Sequence, residues 1–225
     1  MAAAAVTGVV VAGGDGNDGH ADADDEAASS AERASTTDRP TTTTALTTTT
    51  TAPPQWQQAA APDGTFRFEL PGEWRYAPPA ADPSAVGTQM FPDDPVAATS
   101  VEPIASALTT PETKLLALDG SQVLGGIPDV VIIDSQSGLP TLDYPEVVSA
   151  ARQFPGQATV GADGRMSSVV GEIAWIDLSI PSIGMDGVRY FVIDGDELWL
   201  LTFWSDEMPA MRPTADRIAA SFDPR

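Results

Sequence analysis

The chain has no cysteine and one histidine among its 225 residues, and only 11 basic residues stand against 32 acidic ones. The missing thiols exclude disulfides, cysteine nucleophiles, iron-sulfur clusters and thiolate zinc sites together. A domain of ordinary size buries enough core without disulfides, so their absence leaves export open. The lone His20 lies among Gly and Asp near the start. Beyond it, Ser-His-Asp triads, imidazole general bases and multi-His metal sites are removed. A net charge of −21 excludes nucleic acid as a partner, because a phosphate backbone is held by clustered Lys and Arg.

Large apolar side chains are scarce in the first 62 residues, which leaves 163 residues to build a core. That later stretch carries 24 of the acids and nine of the bases, a field of about −15 that favours solvation and repels anionic membrane surfaces. Residues 1–14 open with AAAAVTGVVVA, an apolar run of signal-peptide length followed by small residues but lacking a basic n-region. Val11-Ala12-Gly13-Gly14 resembles a bacterial lipobox with Gly where the lipidated Cys belongs, so acylation is excluded. The run is too short to span a bilayer by itself, although an upstream start would make it an anchor. The alternative is the Ala/Gly terminus of a cytoplasmic protein.

Residues 15–62 read as a disordered acidic and Thr-rich linker. GGDGNDGHADADDE matches a single calcium nonapeptide only loosely, and such repeats need neighbours to stack. TTDRPTTTTALTTTTT (residues 36–51) is an extended stalk composition open to O-glycosylation. Trp56 in PPQWQQ is read as a linker residue packed on the domain edge.

Residues 63–225 are expected to form one α+β domain, an antiparallel sheet covered by helices on both sides. Phe66, Phe68 and Leu70 alternate with polar residues as in a strand, Pro71-Gly72 turns the chain, and Trp74 and Tyr76 resume the pattern. Gly87–Phe91 and Ala97–Ala105 read as strands. Thr110-Pro111-Glu112 has the cap and first-turn proline of a helix, continued by Leu115, Leu116 and Leu118. Asp129–Ser135 is a β-branched run suited to a buried strand, and Pro145–Phe154 fits a short helix with Val147, Val148 and Ala151 on one side. Glu172–Ile180 reads as a further strand. Val188–Ile193 and Glu197–Trp204 form a hairpin through Asp194-Gly195, the dipeptide of a type I′ turn. In its second arm Leu198, Leu200 and Trp204 oppose Trp199, Leu201 and Phe203, so both faces of the sheet need cover. A last helix over Pro209–Phe222 spaces Met211, Ala215, Ile218, Ala219 and Phe222 for packing on that sheet.

Three segments, TFRFELPGEWRY (65–76), VRYFVIDGDELWLLTFWSD (188–206) and DRIAASF (216–222), resemble the PsbP-like fold family, in particular its exported actinobacterial members. Residues 140–166 match that pattern poorly and read as an insertion. The resemblance implies an α/β/α sandwich and an accessory or scaffolding role; it assigns no site residues, and fold alone does not give function.

Candidate chemistry is thin. Asp177, Asp186, Asp194, Asp196 and Glu197 lie near strand ends where paired carboxylates act in glycoside hydrolysis, but Asp163 and Asp194 precede Gly and suit turns, and Asp196 and Glu197 flank the same hairpin. Ser135, Ser137 and Ser182 lack a Gly-x-Ser-x-Gly elbow, and no Gly-rich loop with Lys is present. Asp93-Asp94 and Asp194-Gly-Asp196 lack the ligand ladder of a calcium loop. No cofactor is expected. The reading that remains is a non-enzymatic extracytoplasmic interaction domain for an envelope protein, a glycan or an apolar ligand, the last held by Trp175, Trp199, Phe203 and Trp204 between sheet and helices. The alternatives are a carboxylate-dependent hydrolase and a purely structural envelope protein.

Overall fold

The computed structural model describes residues 55–138, 143–153 and 158–225. The signal-like run, the acidic spacer, the threonine tract and Phe154 lie outside the described residues. In chain order the elements are β1 (Trp56–Ala60), β2 (Phe66–Pro71), β3 (Trp74–Ala77), α1 (Pro83–Met90), α2 (Pro95–Leu108), β4 (Thr113–Asp119) and β5 (Val130–Gln136). There follow α3 (Tyr144–Gln153), β6 (Thr159–Ser168), β7 (Gly171–Ile180), β8 (Met185–Asp194), β9 (Glu197–Ser205), α4 (Met208–Ser221) and β10 (Asp223–Pro224).

Seven strands make one antiparallel sheet in the order β3-β4-β5-β9-β8-β7-β6, and β1-β2-β10 make a small second sheet. The expected hairpin is present: Asp194 faces Glu197, Gly195 takes φ +63°, and β8 pairs with β9 along its length. The expected two-sidedness of β9 follows. Trp199, Leu201 and Phe203 enter the core formed with α4 and the small sheet, whereas Leu198, Leu200 and Trp204 face the opposite layer. On that opposite face α1 and α2 pack over Leu116, Leu118, Val130 and Ile132, and α3 packs over Ile176, Leu178 and Phe191. One cover thus combines a helix with a small sheet, and the other is made of helices alone.

Three local expectations are corrected. Gly87–Phe91 and Ala97–Ala105 are not strands but lie in α1 and α2. Asp82 caps α1 through Ser84 N (3.0 Å) and Asp94 caps α2 through Val96 N and Ala97 N (3.1 and 3.0 Å), each followed by Pro in the first turn. Gly87 permits the crossing, since a Cβ there would lie 2.0 Å from the Ala98 carbonyl oxygen. The helix expected from Thr110 is strand β4. Thr110 and Thr113 bond each other across a turn, and Leu115, Leu116, Ala117 and Leu118 are all buried because β4 is covered on both faces. Strand β1 also lies before Asp63, within the stretch read as linker, and pairs with β2 from Trp56↔Pro71 to Ala60↔Arg67. There Trp56 stacks under the Arg217 guanidinium at 3.8 Å, and Arg217 also pairs with Glu69.

Candidate functional site

Where β9 hands over to α4, a cleft of about 590 Å³ opens between the β2–β3 turn, the β4–β5 loop and the first turns of α4. Its polar lining includes Glu73, Asp119, Asp129, Asp206 and Glu207, with Gln122 and Thr214, and no Lys or Arg lines it. Pro71, Trp74, Ile127 and Met211 supply apolar surface, of which Ile127 is exposed and Trp74 is buried. The cleft is therefore an acidic bowl with an apolar side.

Four of the five acids are placed by local chemistry. Asp119 ends β4 and turns the chain by accepting from Ser121 N (2.8 Å) and Ser121 Oγ (2.7 Å), while its own N–H closes the loop onto the Asp129 carbonyl (2.9 Å). Asp206 and Glu207 sit at the N-terminal end of α4, where the helix dipole favours negative charge. Buried Ser205 accepts from Glu207 N at 2.9 Å. Burial pushes the Asp129 carboxyl above the usual range, and the charges of Asp119 and Asp206 push the same way; bonds from Ser205 and Gln122 oppose them. The carboxyl that burial pushes toward its neutral form thus sits beside acids whose like charge acts the same way.

Among the described residues no three His, Cys, Asp or Glu side chains are placed to hold one metal ion. The five carboxylates thus do not converge on one point, which suits several cationic groups on one partner better than a single point charge.

The four aromatic residues expected to share a pocket do not meet. Trp175, Trp199 and Phe203 lie on the α4 face, where Trp199 packs against Phe66 (5.2 Å) and Phe222 (5.5 Å) and Trp175 stacks under Arg212 (4.2 Å). Trp204 lies on the other face between the clusters under α1–α2 and under α3. Strand alternation separates it from its neighbour Phe203, so the set lines no common cavity. The candidate acids also stay apart: Asp177 pairs with Arg212 at 2.6 Å, opposite Val188, while Asp194 and Glu197 end the hairpin six residues further along β8, roughly 20 Å away. Asp94 spends its carboxylate on the α2 cap.

No protein-family model matches the chain, and no curated protein does. Among solved structures the chain is similar to the solution structure of cyanobacterial PsbP (CyanoP) from Synechocystis sp. PCC 6803, with 7% identity over 77% of this chain and 95% of that one at a TM-score of 0.47. It is also similar to the Ran-binding protein Mog1p of Saccharomyces cerevisiae, with 7% identity over 76% of this chain and 96% of that one at a TM-score of 0.42. Both likenesses are of fold alone.

Proposed function

We propose that this chain is a non-enzymatic interaction domain working outside the cytoplasm, and that its acidic cleft receives Arg or Lys side chains of a protein partner. The observation that carries this reading is the cleft's composition: five carboxylates, no basic residue, and apolar surface for the hydrocarbon stem of a long cationic side chain. The compartment is supported by the apolar opening run and the threonine tract that suits a tether. The absence of His and Cys beyond residue 62 and the engagement of Asp119 in its own turn favour binding over turnover.

The test is calorimetric titration of the full chain with an Arg-rich peptide and with its Gln-substituted counterpart. Saturable binding of the Arg peptide alone is expected, weakening as salt is added. The triple variant Glu73→Gln/Asp206→Asn/Glu207→Gln should weaken it at least tenfold. Equal affinity in the triple variant sinks the reading. Recovery of full-length chain from the cytoplasm, with no processed form in envelope or medium, would overturn the compartment.

Asp129 favours a second reading, a carboxylate-dependent hydrolase, because a carboxyl that burial pushes toward its neutral form beside other carboxyls is the kind of unlike pair that glycoside hydrolysis uses. Turnover of aryl glycosides that disappears in Asp129→Asn would establish that reading; no turnover by the unaltered chain removes it.

A further inference from the structure

A second partly open region lies on the other face of the large sheet, independent of the acidic cleft. The α1–α2 pair covers one side of that face and α3 covers the other. Between them runs a strip of the central strands β5, β9 and β8. Asp134, Leu200, Trp204 and Arg189 keep part of their surface accessible there, although they belong to the middle of a seven-stranded sheet. In a sealed sandwich those positions would be the driest.

Arg189 is the unusual member. Its Nε donates to Thr202 Oγ1 at 2.8 Å, and Thr202 is buried. Among the described residues, its two terminal nitrogens have no hydrogen-bond partner and the guanidinium joins no ion pair. Five other arginines are each matched with a carboxylate: Arg67 with Asp223, Arg152 with Asp163, Arg165 with Glu172, Arg212 with Asp177 and Asp216, and Arg217 with Glu69. The carboxyl that acts electrostatically on Arg189 is Asp134, which accepts from Thr113 Oγ1 at 2.7 Å and is itself shifted toward the neutral acid by burial. Arg189 keeps part of its surface accessible and neither terminal nitrogen is sealed from solvent, so the planar fork is open to an approaching anion, and its partial burial strengthens the bonds it would make there.

We propose that this partly accessible strip is a binding site for a small apolar monocarboxylate, whose carboxylate takes the two terminal nitrogens of Arg189 and whose hydrocarbon part lies on Leu200 and Trp204. A guanidinium fork matches a carboxylate two bonds to two, which a spherical ion cannot do. Leu200 and Trp204 flank the fork with apolar surface and Asp134 with a carboxyl that burial shifts toward its neutral form, and the chain's net charge of −21 opposes long-range capture of anions, so recognition must come from direct contact.

The experiment titrates the full chain with sodium hexanoate, with hexan-1-ol and with sodium chloride, following ligand signals by NMR and stability by thermal shift. Saturable binding of hexanoate is expected, with hexan-1-ol at least tenfold weaker and chloride unable to displace the acid. Arg189→Met should weaken hexanoate at least tenfold while the circular dichroism spectrum stays native. If that variant does not fold, Thr202→Val tests the same site, because it frees the anchored Nε and should lower affinity several-fold. The variant Glu73→Gln/Asp206→Asn/Glu207→Gln should bind hexanoate unchanged, which separates this site from the acidic cleft. The proposal is overturned by no saturable hexanoate binding to the unaltered chain, by equal binding of the alcohol, by displacement with chloride alone, or by unchanged affinity in a folded Arg189→Met chain.

Discussion

The two faces of the seven-stranded sheet are built from the same strands, yet one is sealed and the other is divided. Under α4 and the small sheet, Val131, Ile133, Val188, Tyr190, Leu201 and Phe203 are wholly buried. On the opposite side the cover comes from two separate pieces, α1–α2 over β4 and β5 and α3 over β7 and β8, with Trp204 touching the clusters beneath both. A cover assembled from the chain's ends closes, because β1, β2, α4 and β10 bond to one another as well as to the sheet: β10 pairs with β2, Ser221 Oγ accepts from Glu69 N, and Arg217 reaches Glu69. A cover assembled from two internal excursions leaves a seam. Stability is therefore concentrated on the first face, and accessible polar chemistry on the second and at the α4 end.

The largest effect expected from this contrast is a core truncation. Phe203→Ala on the sealed face removes a ring that meets Tyr190 edge-on at 5.5 Å and should cost about 3–5 kcal/mol. Leu200→Ala, three residues away on the divided face and partly accessible, should cost less than half as much, because solvent already reaches the site. Chemical denaturation of the two variants with equal m-values measures the difference. Equal losses would show that the two faces are sealed alike.

Next is Gly87→Ala. Helix propensity alone would make alanine stabilising by about 1 kcal/mol, but the added methyl meets the Ala98 carbonyl oxygen at 2.0 Å, so α1 and α2 must separate. A net loss of about 1–3 kcal/mol is expected. Since α1–α2 is one half of the divided cover, the same substitution should speed amide exchange in β4 and β5 while leaving β6 and β7 unchanged. A stabilised variant would show that the two helices are not in close contact.

The sealed face was the legible one in the sequence, for a physical reason. Its strands alternate cleanly, its hairpin carries Asp194-Gly195, and α4 spaces Met211, Ala215, Ile218 and Ala219 at helical intervals. On the other face the local signals conflict. The helix α2, PVAATSVEPIASAL, is small and β-branched with a proline inside, so only the Asp94 cap and Pro95 mark it as helical. Strand β4 is buried on both sides, so TKLLALD offers no alternation, and a Thr-Pro-Glu cap signature precedes it. Edge strand β6, with Gly161 and Gly164, has almost no apolar pattern. The acidic cleft was invisible because its carboxylates come from residues 73, 119, 129, 206 and 207, which only the fold brings together. Arg189 was hidden as one polar residue in an alternating strand.

A smaller effect tests how α4 is fastened at the border of the sealed face. Arg212 pairs with Asp177 (2.6 Å) and Asp216 (2.9 Å) and lies over Trp175, while Tyr190 Oη donates to Asp216 at 2.5 Å. Burial and the Asp216 charge together raise the Tyr190 phenol far above its usual range, so it remains a donor. Arg212→Met keeps most of the apolar stem and loses the charge. About 1 kcal/mol should be lost, since the network is only partly screened from water, and high salt should narrow the gap between variant and parent. A gap unaffected by salt would assign the loss to packing.

The smallest effect carries a sign that the two regions would not share. Asp129 in the open cleft has its carboxyl raised in the folded chain, chiefly by burial. Between the unfolded and folded values the native state holds more protons than the unfolded state, so this group's contribution is complete below the unfolded value and is lost as pH rises through the folded one. At pH 7 Asp129 is therefore a net cost. Asp129→Asn, which keeps a side chain able to meet Ser205 and Gln122, should stabilise the chain at pH 7 by less than about 1 kcal/mol after allowance for the cleft's exposure to solvent. The gain should disappear toward pH 4. At pH 7 Asp177→Asn should have the other sign, because it removes the ion pair with Arg212 and so destabilises. Thermal midpoints of Asp129→Asn across pH 4–7 and of Asp177→Asn at pH 7 check this, and a destabilised Asp129→Asn at pH 7 would mean that the cleft carboxylate is held by favourable charge rather than penalised by burial and like charge.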